Sequence, residues 1–504
     1  MSLNLIRDSW IPVSTFSGPR TIRPDQIAES DVLFPDWPRA DLNIACLELL
    51  IGLVALADPP ASREDWRARR SPDAGRLRER LTPLAPAFDL DGAGPRFLQD
   101  LEALAGEVSS PDMLFIDSAG ENAARKNADL MVRRDRYPAL DPALAAMTLY
   151  TLQAWAPSGG AGNRTSMRGG GPLVTLVEPR PGCTLWDLVW ANVPQGVPKG
   201  ADVLPWMRPT RVSDTGHQVH DVGADAIEAF FGMPRRLRLV FEEGRVTGVI
   251  QRPYGTNYGL WRHPLTPYYR LKPPDPPLPV HPRAGLFGYR NWLGVVAQAE
   301  QDDLRNRAAV LDEYDERALE DEALQARVIV AGWAMDNMKP RDFILSRQPL
   351  VALPPEGLHR LEGMIDAARS LGAVLSQALK PVVGGGVAVE GLVEEFFLRT
   401  DAPFRDRLAQ MKAGADVAPG WLGDMRRAGM AIFDAAAVPG LADRRIVKEK
   451  VGSRSETGAG AILAAREFLR ASFAGYGKLG IAAFSALDLE LPEKKTRKKA
   501  RSAA

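Results

Sequence analysis

The feature that most constrains this sequence is a glycine-rich stretch between a predicted helix and a predicted strand. It runs from Trp155 to Leu176, WAPSGGAGNRTSMRGGGPLVTL, and its two glycine clusters bracket Asn163, Arg164 and Arg168. Glycine loses more conformational entropy on folding than any other residue, so such clusters are expected mainly where the backbone must approach another group. Exposed backbone N–H groups beside arginines indicate that this group is a polyanion, either a phosphate or a nucleic acid. A flexible connector is the other interpretation.

A phosphate-binding P-loop is excluded, because no Gly-Lys-Ser/Thr follows the glycines at the required spacing.

The composition describes an ordinary soluble globular protein that is long enough for two or more domains. The 504 residues include 45% hydrophobic and 25% charged side chains, and 63 basic residues balance 63 acidic ones. A nucleic-acid surface would therefore have to be a local patch. Only two cysteines, Cys46 and Cys183, and a start that does not resemble a signal peptide favour the reducing cytoplasm. The apolar run 44–57 is short and contains Glu48, so we expect a buried helix and no membrane association.

Hydrophobic periodicity and turn residues predict short strands mixed with helices up to about residue 354. Predicted strands are 3–6, 10–13, 21–23, 173–177 and 327–331, with hairpins at 237–249 and 333–340. Predicted helices are 41–57 with Asp41 as its cap, 142–155, 185–193 and 295–319.

Beyond Pro355 the sequence predicts a helix bundle. Four amphipathic stretches, 356–379, 389–411, 421–437 and 462–473, are separated by glycine and proline breaks. We therefore predict the α+β class. A mixed N-terminal domain of short sheets and helices (1–354) precedes a four-helix bundle (355–490) and a basic disordered tail (491–504).

A second candidate nucleic-acid segment is the basic stretch 118–137. It contains Arg125, Lys126, Asn127, Arg133 and Arg134 and lacks hydrophobic periodicity. This composition is typical of a mobile loop that becomes ordered on a phosphate backbone. A plain surface loop is the alternative.

No pattern nominates catalytic machinery. The sequence lacks a Gly-x-Ser-x-Gly elbow and an HExxH helix, and His217, His220 and His263 lack metal-ligand spacing. We therefore predict no enzyme activity, no cofactor and no metal site. An enzyme that binds phosphate or a nucleotide through the glycine-rich loop is the alternative.

Six short motifs, taken in order, resemble the large subunit of the type I-E CRISPR surveillance complex, Cascade (the CasA family). They are Leu5–Val13, Ala156–Gly162, Ser166–Pro172, Trp206–Pro209, Gly259–Pro264 and Gly332-Trp333. Each motif is weak alone. Their order along nearly the whole chain, with a similar length and a terminal helix bundle, carries the resemblance.

The resemblance implies a protein that binds target DNA without cutting it. In the family, a mixed N-terminal domain reads the protospacer-adjacent motif as duplex and begins strand separation, while guide RNA elsewhere in the complex reads the sequence. The implied partners are double-stranded target DNA, crRNA, the other Cascade subunits and a helicase-nuclease recruited after R-loop formation.

The resemblance also assigns roles to particular residues. Motif recognition is expected from the residues on which the family's glycine loop falls (Gly159, Gly160, Ala161, Gly162) and from the adjacent Asn163. It is also expected from Arg252 in place of the family's lysine finger, and from a wedge hairpin (Asp336, Asn337, Met338). Contacts to the nucleic-acid backbone are expected from Lys126, Asn127, Arg133, Arg134, Arg164, Arg168 and Lys339.

Three departures from relatives affect these expectations. Ala161 stands where some relatives have glycine, and Asn337 replaces a longer glutamine, so the preferred motif is expected to differ. Glu242-Glu243-Gly244 stands where some relatives have a cysteine cluster, so a zinc site is not carried over.

Overall fold

The computed structural model describes residues 2–118, 125, 132–133, 136–160, 162–221, 226–298, 304–319, 325–439, 448–451 and 454–493. These residues form two compact units. The first contains the described residues of Met1–Gly285, Gly294–Ala297 and Asp302–Ala352, and the second those of Leu286–Leu293, Gln298–Gln301 and Leu353–Ala504. The chain passes into the second unit between Ala352 and Leu353, and Leu286–Leu293 belongs to that unit as well. The domain boundary at 354/355 stays a prediction.

The first unit combines helices with short antiparallel sheets. Its helices are α1 (Ala40–Ala57), α2 (Arg63–Ala68), α3 (Ala74–Leu81), α4 (Pro142–Trp155), α5 (Leu185–Ala191) and α6 (Ala309–Arg317). Its strands are β1 (Ile11–Thr15), β2 (Gly18–Ile22), β3 (Val32–Pro35), β4 (Val108–Ser109), β5 (Val174–Glu178), β6 (Arg236–Glu242), β7 (Arg245–Arg252), β8 (Tyr268–Tyr269), β9 (Leu278–Pro279), β10 (Arg305–Asn306), β11 (Arg327–Asp336) and β12 (Lys339–Pro349). The sheet orders are β2-β1-β3, β4-β7-β6, β12-β11-β5 and β10-β8-β9. The predicted α+β class is confirmed.

Helix α1 lies in the core of the first unit because its sequence is apolar on every side. Among the described residues it is the one helix long and apolar enough to cross a membrane, but 89% of that window is buried inside the protein, as in a core helix. The predicted cap is wrong. Helix α1 begins at Ala40, so Asp41 lies in its first turn, where its carboxylate pairs with Arg39 at 2.9 Å.

Helix α4 directly precedes the glycine-rich stretch and has the predicted bounds. Its start is fixed locally, because Pro142 occupies the first turn and the Asp141 carboxylate accepts the N–H of Ala143 at 2.9 Å. After the glycine-rich stretch the chain enters β5, which pairs with β11. The loop is therefore held between a buried helix and a central sheet.

The second unit is helical, as predicted. Its helices are α7 (Pro355–Val383), α8 (Val387–Lys412), α9 (Ala418–Ala437), α10 (Gly458–Ser472) and α11 (Gly477–Ala486), with a two-stranded sheet of β13 (Lys448–Val451) and β14 (Arg454–Thr457). The four predicted helices are present, and α11 is an additional one. It packs so closely on α7 that a Cβ at Gly363 would collide with the carbonyl oxygen of Ala486.

Two predicted elements are wrong. The alternating charges of 295–319 suggested one long helix, but among the described residues there Arg305 and Asn306 pair with Tyr269 and Tyr268, and helix α6 begins only at Ala309. The apparent strand at 3–6 forms only a bridge between Asn4 and Asp89. In both places partners distant in the sequence decide the local conformation.

Candidate nucleic-acid interface

The glycine loop, defined as Ala156–Pro172, presents its backbone at the surface. Ser158, Gly159 and Gly160 are exposed. Gly160 has φ +66°, and no described heavy atom lies within 4 Å of a Cβ built on it. Its carbonyl accepts the N–H of Asn163 at 2.7 Å, which closes a tight turn. Ala161 lies outside the described residues. The outer face of Gly160 is thus open to a ligand in the described structure.

The end of strand β7 and the turn after it hold this loop in place. The Gln251 amide donates to Asn163 Oδ1 at 2.6 Å, and the backbone N–H of Tyr254 donates to the Gly162 carbonyl at 2.8 Å. Arg252 lies between these two anchoring residues, and its side chain is exposed. The structure therefore brings the chain at Arg252 beside the glycine loop, and the expected role of Arg252 in motif recognition stays a prediction.

Arg164 makes hydrogen bonds within the protein through two of its donor groups. Its Nε donates to Ser213 Oγ at 2.8 Å and its Nη2 to the Ser213 carbonyl at 2.7 Å, and the guanidinium lies 5.8 Å from the centre of the Tyr254 ring. Its expected contact with a nucleic-acid backbone stays a prediction.

Arg235 lies beneath the loop and was not identified from the sequence. Its Nη2 donates to the Pro157 carbonyl, and a Cβ built on Gly159 would lie 2.7 Å from its Nη1. The side chain is buried, and among the described residues no carboxylate pairs with it. Burial alone lowers the pKa of Arg235 to about 10. A buried guanidinium without a counter-ion leaves positive potential directly under Gly159.

The tip of the β11–β12 hairpin is a two-residue turn at Asn337 and Met338. Their φ values are +49° and +63°, so the turn is of the type I′ that suits a twisted hairpin. The Asp336 carboxylate accepts from the Asn337 amide at 3.0 Å and from Arg341 at 2.7 Å. A long side chain at positive φ is strained. Met338 has this conformation, and its side chain is half exposed. The Asp336 carboxylate braces the turn, whereas the tip itself projects into solvent.

The hairpin and the glycine loop touch at their bases. A Cβ built on Gly171 would collide with the Trp333 carbonyl oxygen, and one built on Gly332 would collide with the Pro172 carbonyl oxygen. Lys339 is exposed opposite Asp336 in the strand register. The structure therefore gathers the glycine loop, the chain at Arg252 and the base of the wedge hairpin in one unit.

Arg168 is a correction, because its side chain is not on the surface. It is 2% exposed, and its Nη2 lies 2.5 Å from Glu48 Oε1 on helix α1. Its Nη1 donates to Thr266 Oγ1 at 3.2 Å, and the ring of His263 lies 3.4 Å from the same Glu48 oxygen. A guanidinium committed to a buried carboxylate does not reach a phosphate outside. Arg168 anchors the loop from within.

The charges of this buried cluster shift each other's pKa values. Burial by itself would raise the pKa of Glu48, but the adjacent Arg168 and His263 lower it to about 2. Burial, reinforced by Arg168, lowers the pKa of His263 to about 4. Near neutral pH the cluster is therefore a carboxylate–guanidinium pair beside a neutral imidazole.

Several predicted residues cannot be placed at the interface. Lys126, Asn127 and Arg134 lie outside the described residues, as does Ala161. Arg133 is exposed. Arg136, which belongs to the same basic stretch, pairs with Asp117 at 2.9 Å.

Two features of the described residues bear on the alternative of an enzyme that uses the glycine loop. They contain no group of three or more His, Cys, Asp or Glu that could hold a metal ion. A cavity of about 510 Å³ is lined by residues such as Phe230, His263 and Tyr268, and neither a carboxylate nor a glycine of the loop contributes to its lining.

The sequence interpretation missed three residues that contact the glycine loop at the candidate interface, Tyr254, Gln251 and Arg235. A weak signal existed for Gln251 and Tyr254, since 251–264 reads as irregular and aromatic, and none was recognised for Arg235. Glu48 gave a clearer signal, because a charge inside an apolar helix requires a partner.

Comparison with known proteins identifies the family of this chain. The family described as CRISPR-associated protein Cse1 (CRISPR_cse1) matches residues 4–432. CasA of Thermus thermophilus is similar in fold, with a TM-score of 0.70 and 20% identity over 94% of this chain and 99% of that one. Cse1 of Thermobifida fusca gives a TM-score of 0.68 and 18% identity over 96% of this chain and 98% of that one. A chain from a structure titled CRISPR RNA-guided surveillance complex gives a TM-score of 0.69 and 18% identity over 93% of this chain and 99% of that one.

The family match extends over most of the chain, from the N-terminal strands into helix α9 of the second unit, and the solved structures share the fold of the whole. The chain therefore belongs to the Cse1 family of CRISPR-associated proteins, the CasA-type large subunits of type I-E Cascade.

Proposed function

We propose that this protein is the non-catalytic subunit that recognises the protospacer-adjacent motif in duplex DNA and begins strand separation within a crRNA-guided complex. The observation that carries the proposal is the buried, unpaired guanidinium of Arg235 beneath the exposed backbone of Gly159 and Gly160 in the described part of the chain. A positive potential under open backbone favours a polyanion over a neutral ligand.

The exposed backbone at Gly159 and Gly160 suits the minor groove. A backbone turn with one exposed arginine, Arg252, offers few directional contacts. The minor groove presents a degenerate pattern of donors and acceptors, so such a reader is expected to tolerate several motifs.

The hairpin tip supplies the second step. Asn337 and Met338 are exposed at the tip, and Lys339 beside them is available to a phosphate. Insertion of such a tip at the first base pair beyond the motif would cost a few kcal/mol of unstacking. Contacts to phosphates and pairing with the guide RNA would offset that cost.

The proposed partners are those of a subunit of a crRNA-guided surveillance complex. They are double-stranded target DNA, crRNA and the other Cascade subunits, and a helicase-nuclease that docks after R-loop formation, all in the cytoplasm. The fold is shared with a chain from a structure titled as a surveillance complex, which supports this placement. The alternative of a nucleotide-binding enzyme has less support, because neither a carboxylate nor a glycine of the loop lines the cavity described above.

The test is a gel-shift comparison with the assembled, crRNA-containing complex. Its substrates are two duplexes with the same target sequence, one with a functional adjacent motif and one with that motif replaced. We expect copurification of this protein with the complex, tighter binding to the motif-bearing duplex, and loss of that preference when this subunit is omitted. Equal binding to both duplexes, or a preference that persists without this subunit, would overturn the proposal.

A further inference from the structure

Two tryptophans that flank the candidate interface donate their indole N–H groups to the same helix. Trp155 ends helix α4 just before the glycine loop, and its Nε1 lies 3.3 Å from Glu48 Oε2. Trp333 lies on strand β11, and its Nε1 lies 3.2 Å from Asp41 Oδ2. Each element of the interface is thus tied to its own carboxylate on α1.

The two carboxylates lie on one face of α1. Asp41 and Glu48 are seven residues apart, which is close to two helical turns and a rise of roughly 10 Å. Both are buried, and each has an arginine partner, Arg39 for Asp41 and Arg168 for Glu48. Charge-assisted hydrogen bonds in a buried setting hold their donors more firmly than bonds in water do.

Phe343 of strand β12 joins the two tryptophans. Its ring is stacked on Trp155, with the centroids 6.1 Å apart at an interplanar angle of 19°, and it lies 5.4 Å from the Trp333 ring. The rings form a continuous series, Trp155–Phe343–Trp333, which we call the tryptophan clamp. Because Gly171 also packs against Trp333, the base of the loop and the base of the hairpin share one support.

We propose that Asp41 and Glu48, acting through the tryptophan clamp, fix the distance between the motif-reading loop and the wedge and so decide which base pair beside the motif opens first. This inference rests on the proposed function. The clamp residues are positioning residues, because they are buried or half-buried at the base of the loop and the hairpin. Gly160, Arg252 and Met338, by contrast, are among the exposed residues of the proposed interface. A loose clamp would leave the reading of the motif intact and spread the opening over several base pairs.

The variants are Trp155→Phe, Trp333→Phe and the double variant, each in the assembled complex. Each single change removes one indole N–H and keeps an aromatic ring. Trp66→Phe is the matched control, because Trp66 is buried in the same unit and donates its indole N–H to the Trp190 carbonyl at 3.0 Å. The readouts are motif preference by gel shift and permanganate reactivity of thymines at each position next to the motif.

We expect Trp333→Phe to keep the motif preference but to slow opening about fivefold, the factor that one net hydrogen bond of about 1 kcal/mol provides. Permanganate reactivity should no longer begin at a single base pair beside the motif, and in the double variant it should begin over a wider range of positions. Trp66→Phe should open like the wild type.

Two results would overturn the inference. One is an unchanged rate and position of opening in the double variant. The other is a parallel loss of motif preference and opening that Trp66→Phe reproduces, since this would show a general structural effect. A wild-type complex without motif preference would overturn the proposed function as well, whereas a motif-selective wild type with unaltered variants would overturn the clamp alone.

Discussion

Gly162 lies against the ring of Tyr254, so closely that a Cβ at position 162 would be 2.6 Å from Cε1 of the tyrosine. Both residues have positive φ, +79° and +63°, and the glycine carbonyl accepts the tyrosine N–H. Positive φ is strained for a bulky residue, and such strain persists only where surrounding contacts enforce it. The tyrosine therefore restricts the position of the glycine loop through both its ring and its backbone N–H.

Gly160→Asp should abolish motif-dependent binding by placing a carboxylate against DNA. The matched control is Gly160→Asn, which has nearly the same shape and, like aspartate, tolerates positive φ. The space around position 160 is open in the described structure, so both variants should fold and assemble. Gel shifts with the assembled complexes make the comparison. Equal binding by the Asp and Asn variants would remove the loop from the DNA contact.

Arg252→Ala should weaken binding and flatten its salt dependence by about one unit in the slope of log K against log salt, if one phosphate contact is lost. Arg252→Lys keeps the charge and should keep most of that slope. Titrations at several salt concentrations with two different motifs provide the measurement. A defect confined to one motif, with an unchanged salt slope, would exclude the phosphate contact and leave Arg252 with a role in motif recognition alone.

Asn337→Ala combined with Met338→Ala should slow R-loop opening on intact duplex. On a target with its first pairs already mismatched, the same variant should behave nearly normally, because the unstacking cost has been removed in advance. A fluorescent base beside the motif reports opening on both substrates. An equal defect on both substrates would mean that the hairpin only positions the DNA.

Met338→Gly separates stability from function at the same tip. Asn-Gly is the preferred type I′ pair, so relief of the positive-φ strain should stabilise the hairpin by about 1 kcal/mol. Loss of the side chain should nevertheless slow strand opening. Urea denaturation and the opening assay together test this, and faster opening by the glycine variant would argue against a side-chain wedge.

Arg168→Met should destabilise the fold by about 3–5 kcal/mol, because it leaves Glu48 charged and buried without its partner. The added change Glu48→Gln removes that charge and keeps an acceptor for the Trp155 indole, so the double variant should recover most of the loss. Urea denaturation of the full-length chain gives both values. A single variant as stable as the wild type would contradict the burial of this pair.

The wild type should lose stability in mild acid through His263. The pKa of this imidazole is lowered from 6.5 to about 4 by burial in the folded protein. Between these values the unfolded chain binds one more proton, so stability falls as the pH drops from about 6.5 to about 4 and is unaffected above that window. His263→Asn, which keeps an acceptor for the Leu265 N–H, should show a smaller loss over this range. Thermal melting at a series of pH values measures the difference, and identical profiles would exclude His263 as its source.

The sequence by itself determined the elements whose signals are local. Helix α4 has the predicted bounds because Asp141 and Pro142 mark its start. The β6–β7 hairpin turns at Glu243-Gly244 as predicted, since both residues adopt the positive φ that such a turn requires. The four predicted C-terminal helices followed in the same way from their amphipathic pattern.

Tertiary structure alone decided which charges are buried and which elements meet. Arg168 looked like a surface arginine in a glycine-rich loop, and only its pairing with Glu48, 120 residues away, places it in the core. Arg235 and Tyr254 carried no motif, yet they support the loop from beneath and behind. The contact between Gly171 and Trp333 joins segments separated by more than 160 residues. Local sequence cannot specify such pairs, because the free energy that selects them comes from burial and partner geometry that exist only in the folded chain.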